Sequence, residues 1–462
     1  MPPRRRKYNN RNLTGLTLVL SLVLVVLLIV AVSLPENSAP GTEPTNPTIS
    51  LGTESTQSTQ PSVPPDTEPT QPPIFLESTA TLAATGDVLM HGPVIRSGLM
   101  VNGDYDFSSI FTYFADYVTS ADYAVANLET TLAGLDNGYE YKGYPQFNCP
   151  DRIVTGLKNA GFDTLLTSNN HSYDTRSIGL RRTQQVIADI GLSHLGTKPT
   201  ADTPNYLIAD VNGIRIGMLC YTYENDASPT GKAPNDHKMT PEDAALINTF
   251  DYSNLPLFYG EMAKNMADMT AAEVDAVVMF IHWGSEYKIQ QNTLQTDIAQ
   301  NLCNLGVDVI IGGHPHVVQP LELLTAADGS HKTVCLYSMG NAVSNQRISQ
   351  MNLKTGHTED GVLFSVTFTK YSDGTVILSD ANILPLWVNH RANAQGKWIY
   401  PILPLDKQIE DWKTQFDLSD TMLQNANASY DRTMAIVGSG LTDAKEYLAQ
   451  QKFQTEMALG VE

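Results

Sequence analysis

Val309-Ile310-Ile311-Gly312-Gly313-His314-Pro315-His316 is the stretch on which the fold turns. The apolar run from Val307 to Ile311, broken only by Asp308, reads as a buried strand that ends on two glycines. Two histidines come next at i, i+2, and in extended backbone that spacing puts both imidazoles on one side. The glycines allow a sharp turn beside them, and Pro315 fixes φ between them. Neutral imidazole is the commonest metal-binding side chain. A strand end with two surface histidines is the plainer reading of the fragment alone, and the rest of the chain decides between the two.

Outward from this stretch, apolar runs alternate with helical spacing. Residues 80–84, 123–128, 164–167, 214–221, 274–281 and 334–339 read as strands. Residues 107–118, 151–160, 177–190, 259–269 and 294–305 read as helices, the third stopped by Gly191. Residues 364–368 and 376–378 flank Ser372-Asp373-Gly374, a hairpin signal, and the chain after Pro404 is polar and helical. Strand–helix alternation predicts an α/β layered fold. There is no internal repeat, P-loop or GxGxxG motif.

In open α/β sheets, ligands bind beyond the carboxyl ends of the strands. Here one strand after another ends on a residue able to hold a metal or move a proton: Asp87, Glu129, Asn170-His171, His282, then His314 and His316. Hard or borderline divalent ions take carboxylate, amide oxygen and imidazole. A histidine outside the ligand set can protonate a leaving group. Each residue has an ordinary reading: Asp87 as a helix cap, Glu129 as a loop charge, Asn169-Asn170 as a turn, His282 as a core histidine. Their joint placement at strand ends is what those readings explain badly. His194, His237, His331 and His357 read as surface, and His390 stays open.

The formal charge is −20, from 29 Lys and Arg against 49 Asp and Glu. Residues 1–34 hold five basic groups and no acid, so the rest stands at −25. Such a body is a poor partner for nucleic acid, although a metal can invert the charge locally. Residues 1–15 read as a basic cytoplasmic tail and residues 16–34, uncharged and rich in Leu and Val, as a membrane anchor of about the ~20 residues a bilayer needs. A cleaved signal with Ala31-Val32-Ser33 as a weak cleavage site is the alternative, a buried core helix the remoter one. The basic flank keeps the N-terminus cytoplasmic and places the chain beyond residue 34 outside the plasma membrane. Residues 35–77, dominated by Pro, Thr, Ser, Glu and Gln, read as an extended disordered stalk. A domain of residues 78–404 and a helical extension of 405–462 complete the chain. Cys149, Cys220, Cys303 and Cys335 show no CxxC spacing; the last three sit in apolar runs as small hydrophobes, and a thiolate zinc site is not expected.

Taken together, Gly86-Asp87, Asn127-Leu128-Glu129, Asn169-Asn170-His171, His282-Trp283-Gly284 with Glu286, Gly313-His314-Pro315-His316 and Ser338-Met339-Gly340-Asn341 resemble the CapA family of capsule and poly-γ-glutamate synthesis, a branch of the calcineurin-like metallophosphoesterases. The resemblance runs from about Leu82 to Pro385. It implies a four-layer sandwich, two mixed sheets flanked by helices, with a metal site at one edge. It implies Asp87, Asn170, His282, His314 and His316 as ligands, Glu129 in place of a bridging aspartate and His171 as proton donor. The chain departs from the wider superfamily where Asp-x-His becomes Asp87 with His91 four residues on, and where Gly-Asp-x-x-Asp becomes Asn127-Leu128-Glu129. Both departures touch the first metal position, so one or two ions (Mn, Zn, Fe or Mg) fit the pattern. His91, Asn127, Glu286, Ser338 and Asn341 are secondary site candidates.

Three functions are compatible with these readings: a metal-dependent hydrolase on a surface polymer or phosphoester, a non-catalytic polymer-binding subunit beside membrane synthase subunits of a poly-γ-glutamate complex, or a secreted phosphoesterase or nucleotidase. The first two are preferred, since no second substrate domain is apparent.

Overall fold

A computed structural model describes residues 73–225 and 234–461. The tail, the proposed anchor and the stalk up to residue 72 lie outside the described residues. Among the described residues no helix is long and apolar enough to cross a membrane.

The strands of the two main sheets run in chain order as β1 (Leu76–Val88), β2 (Tyr123–Leu128), β3 (Thr164–Leu166), β4 (Ser193–Leu195), β5 (Tyr206–Val211), β6 (Ile214–Glu224), β7 (Thr249–Asp251), β8 (Ala276–His282), β9 (Val309–Gly313), β10 (Leu321–Thr325), β11 (Lys332–Leu336), β12 (Asn341–Val343), β13 (Asp360–Tyr371), β14 (Val376–Val388) and β15 (Ile402–Pro404). The first sheet has the order β15-β14-β13-β1-β2-β3-β4, with β12 beside the end of β1. The second has the order β10-β11-β9-β8-β6-β5, with β7 beside β6. Both are mixed: β1 to β4 are mutually parallel while β13 runs antiparallel to β1. Likewise β6, β8, β9 and β11 are parallel, with antiparallel β5 and β10 at the edges.

The longer helices are α1 (Arg152–Asn159), α2 (Arg176–Ile190), α3 (Leu255–Ala271), α4 (Thr293–Asn304) and α5 (Asp420–Leu459). Leu82, Val125, Val278, Ile311 and Phe364 meet in one buried cluster between the sheets. Ile153, Leu157 and Ile187 of α1 and α2 cover the outer face of the first sheet, and Phe258, Met262, Ile298 and Leu302 of α3 and α4 that of the second. The order is therefore helix, sheet, sheet, helix, as expected. Parallel strands buried on both faces explain the unbroken apolar runs of β8 and β9. Gly191 ends α2 in the left-handed region at φ 86°, and an Asn292–Gln295 capping box starts α4.

Three expectations need correction. The 107–118 helix is two short helices, Ser108–Phe111 and Ala115–Thr119, because the chain tightens at Phe114, whose N–H donates to Phe111 O at 2.9 Å. Phe107, Ile110, Phe111, Phe114 and Val118 are buried all the same, so the apolar spacing reports the buried face, not an unbroken helix. β1 starts at Leu76, because Ser78-Thr79-Ala80-Thr81 pairs with β13 through backbone that needs no apolar run. Third, Gly312 and Gly313 are not a turn. Both are inside β9, and a Cβ on Gly312 would stand 2.0 Å from Tyr337 O. The glycine is required by close strand approach.

The last helix, α5, spans 40 residues. Ser419 caps it by accepting from Met422 N at 3.2 Å. Its buried stripe, including Val437, Leu441, Ala444 and Leu448, joins the core between the sheets, lying on β14 of one sheet and the edge strand β10 of the other. Arg432 reaches Asp360 at 2.8 and 2.7 Å, and Ser429 donates to the same carboxylate at 2.6 Å. The four cysteines are buried and free.

Candidate metal centre

Register assembles the site. Asp87 pairs with Asn127 on one side and Asn341 on the other, and His282 pairs with Gly313 across the second sheet. The carboxyl ends of β1, β2 and β3 thus face those of β8 and β9. Asp87, Glu129, Asn170, His171, His282, His314 and His316 are all buried there.

Asp87 accepts from Asn127 Nδ2 at 2.7 Å through Oδ1 and lies 2.9 Å from His316 Nδ1 through Oδ2. His282 Nε2 stands 2.9 Å from Asn170 Oδ1 and 3.7 Å from Glu129 Oε1. His316 Nε2 is 3.8 Å from the same Glu129 oxygen. The His314 ring lies 4.8 Å from that of His282, and its Nε2 is 3.2 Å from the Tyr223 hydroxyl. Ligand atoms of Asp87, Glu129 and His282 fall within 4.8 Å of one another.

The histidines do not reach this site in extended backbone. His314 has φ 95° and His316 φ 57°, so the turn is made by the histidines themselves. Both conformations are costly for a residue with a Cβ, by about 1–3 kcal/mol each. The rings nonetheless lie 6.0 Å apart, and the charges of both act on Asp87.

The electrostatics suit a cation. Burial, then the charge of Asp87, pushes the Glu129 carboxyl well above the carboxylate range. Burial pushes Asp87 the same way, but the hydrogen bond and charge of His316 and the Asn127 amide hold it below its ordinary value. The two acids therefore share their ionisation unequally. Burial and neighbouring imidazoles keep His282 well down and His314 at about 3, so both are neutral. Glu129 Oε1 and His314 Nδ1 are buried without any hydrogen-bond partner. Orphaned buried polar atoms in such a donor set call for an ion. The residues fit a divalent metal: Asp87, Glu129 and His282 at its centre, with His314, His316 and Asn170 around it.

His171 is held apart from this set. Its Nδ1 lies 2.8 Å from Asp174 Oδ2, and Asn235 Nδ2 is 3.3 Å from the same nitrogen. The Phe147 ring meets it edge-on at 4.5 Å, and Phe147 N donates to Asp174 at 2.6 Å. Asn169 ties this arm to the metal side by donating to Asn127 Oδ1 at 3.1 Å and accepting from His171 N at 3.1 Å.

The secondary candidates divide. Asn127 is central. His91 accepts from Asn345 N at 3.3 Å and meets Phe147 at 5.3 Å; burial and the charge of His316 push it down to about 4. Asn341 braces the histidine loop by donating to His316 O at 3.2 Å, and Ser338 accepts from Gly340 N at 3.2 Å. Glu286 is exposed and bonds to Tyr287, its charge reaching Glu129 only from a distance. Asp174, Phe147, Tyr223 and Asn235 escaped the sequence reading. Asp174 comes three residues after His171, a spacing that could have flagged it, and Tyr223 lies at a strand end like the others. His237, read as a surface residue, has its Nε2 3.8 Å from Asp174 Oδ1.

Comparison with known proteins fits this geometry. The family profile described as "Bacterial capsule synthesis protein PGA_cap" matches residues 81–346, more than half of the chain. The chain is 25% identical to a capsule biosynthesis protein CapA of Bacillus anthracis, over 66% of its own length and 67% of that protein's. It is 28% identical to a PGA biosynthesis protein CapA of Bacillus subtilis, over 59% and 65% of the two lengths. A probable polyglutamine synthesis accessory protein of Mycobacterium tuberculosis is 23% identical over 44% of this chain and 52% of its own. The match thus spans about two thirds of the two bacillary relatives.

Proposed function

Because this chain belongs to the bacterial capsule synthesis protein family, we propose that it acts in making or exporting a capsule polymer of the poly-γ-glutamate type, with a divalent metal centre that supports hydrolase-type chemistry on the polymer or on a phosphoester. The observation that carries the reading is the buried convergence of Asp87, Glu129 and His282 within 4.8 Å, with the orphaned Glu129 Oε1 among them. Residues 16–34 would anchor the chain, with the domain outside the plasma membrane.

A bound divalent ion supplies Lewis acidity and an activated water. The chain's own residues do the rest. Asp87, Glu129 and the neutral imidazoles of His282 and His314 hold the ion, and His316 is oriented by Asp87. Asp174 fixes the His171 ring through Nδ1, which leaves Nε2 to give a proton to the leaving group. Phe147 excludes water from that ring.

The first test is elemental analysis of the full chain beside His314→Ala, purified without an affinity tag. Near two equivalents of a transition metal, lost in the variant, support a two-metal centre; none after incubation with manganese or zinc overturns the chemistry. For His171→Ala we expect turnover of a γ-glutamyl peptide or phosphoester to fall about 100-fold or more at unchanged metal content. Loss of metal as well would remove its role as proton donor. The name of the mycobacterial relative supports a second reading, a metal-dependent accessory subunit that grips polymer carboxylates. On that reading His171→Ala leaves polymer binding intact and there is no turnover to lose.

A further inference from the structure

An open cavity of about 400 Å³ has a lining that contains Arg96 and Lys397 but no aspartate or glutamate. In a body carrying 49 acidic residues this is an unusual surface. A two-stranded ribbon, Arg391–Ala392 with Trp398–Ile399, builds its wall. It presents Trp398 at 57% exposure. The His390 ring is stacked between Trp398 at 4.4 Å and Tyr400 at 4.6 Å. Burial and the nearby Arg347 charge push His390 down to about 4, so the stack is uncharged at neutral pH. Arg96 has no ion-pair partner among the described residues, and Lys397 Nζ spends one donor on Leu99 O at 2.7 Å.

The cavity is wired to the site. Tyr400 donates its hydroxyl to Asn345 Oδ1 at 2.7 Å, and Asn345 N donates to His91 Nδ1 at 3.3 Å. The His91 ring shares the Phe147 ring with His171, at 5.3 and 4.5 Å.

We infer that this cavity seats a stretch of repeated carboxylates, a glutamyl chain, whose neighbouring bond is thereby presented to the metal centre. The inference rests on the reading under Proposed function and names the recognition surface for it. Two cations without acids suit two successive carboxylates. The exposed indole and its stacked neighbours offer flat apolar area to the methylenes and amide planes between them. The rest of the body repels a polyanion, which confines binding to this basic wall.

The experiment titrates metal-loaded full chain with γ-linked decaglutamate at low ionic strength. The readouts are heat and tryptophan emission, with metal content measured in parallel. Trp398 is the exposed tryptophan, while Trp283, Trp387 and Trp412 are buried, so the part of the emission change that is lost in Trp398→Ala reports the cavity. We expect saturable binding that weakens with salt, perturbs Trp398, and falls about 10-fold or more in R96Q/K397Q at unchanged metal content. Trp398→Ala should weaken it as well; all three side chains lie at the surface, and circular dichroism checks the fold. Equal affinity in wild type and R96Q/K397Q overturns the inference. So does the absence of saturable binding to a chain that holds its metal, which leaves the metal centre standing. A chain holding neither metal nor decaglutamate overturns both readings. α-Linked decaglutamate and inorganic phosphate are the comparison arms. Weaker binding of both supports the γ-linked polymer; equal binding of the α-linked chain assigns a seat for polycarboxylates of either linkage; effective competition by phosphate overturns the glutamyl assignment.

Discussion

Glu129→Gln should lower affinity for a divalent metal by about 100-fold or more and abolish the release of about one proton on metal binding. In the metal-free chain, burial and the Asp87 charge hold the Glu129 carboxyl well above the carboxylate range. A metal must displace that proton, so affinity falls as pH falls below the raised value of Glu129. Calorimetry in two buffers of different ionisation enthalpy counts the proton directly.

The same group sets a stability slope. The folded chain keeps a proton on Glu129 that the unfolded chain sheds above about pH 4.3. Folded therefore binds more protons than unfolded, and this contribution weakens the fold as pH rises toward the raised value. His282 and His314 act in the opposite sense: their folded values are depressed, the unfolded chain takes up protons below about pH 6.5, and they add stability as pH rises through that region. Comparing variant with parent isolates Glu129. Without metal, Glu129→Gln should gain stability relative to the parent as pH rises from about 4.3 toward the raised value of Glu129; saturating metal should reverse the order. A metal that stabilises both chains equally would remove Glu129 from the site.

Gly440→Ala should destabilise the fold by about 3 kcal/mol or more, although a helix interior normally favours alanine over glycine by about 1 kcal/mol. Here packing decides. A Cβ at residue 440 would stand 1.7 Å from Leu321 O, the backbone of β10. Backbone cannot swing aside, so α5 must lift and loosen Val437, Leu441 and Ala444 from the core between the sheets. Gly438, two residues earlier in the same helix, is the control. The atom nearest a Cβ there is Met434 Cε at 3.7 Å, an ordinary contact. Gly438→Ala should be neutral or stabilising by up to about 1 kcal/mol. Urea unfolding of the two variants separates them, and equal midpoints would show that the helix does not press on β10.

The layered fold was legible because both faces of each central strand are buried, which writes Val277 to Ile281 and Val309 to Ile311 as unbroken apolar runs. The convergence of Asp87, Glu129, His282 and His316 was legible for a related reason, since strand ends are marked where apolar residues stop. What the sequence concealed is tertiary. Gly312 and Gly440 look like flexible points and are contact points. Asp174 and Tyr223 matter only because two sheets bring β3 and β6 to the same edge. The left-handed φ of His314 and His316 could not be read from a motif that suggests extended backbone.

The position of α5 also bears on the order in which the chain can finish folding. β1 lies in the middle of its sheet, with Leu82 opposite Val366 on β13, and so must wait for most of the polypeptide before it gains that neighbour. Closure then waits longer still, for Val437 to Leu448. Pairings this distant in sequence are slow to form. A nascent chain cut short after residue 404 would contain every proposed metal ligand yet leave the seam between its sheets open. Such a product would aggregate or be degraded before its chemistry mattered, so α5 acts as a length check on the two sheets it closes.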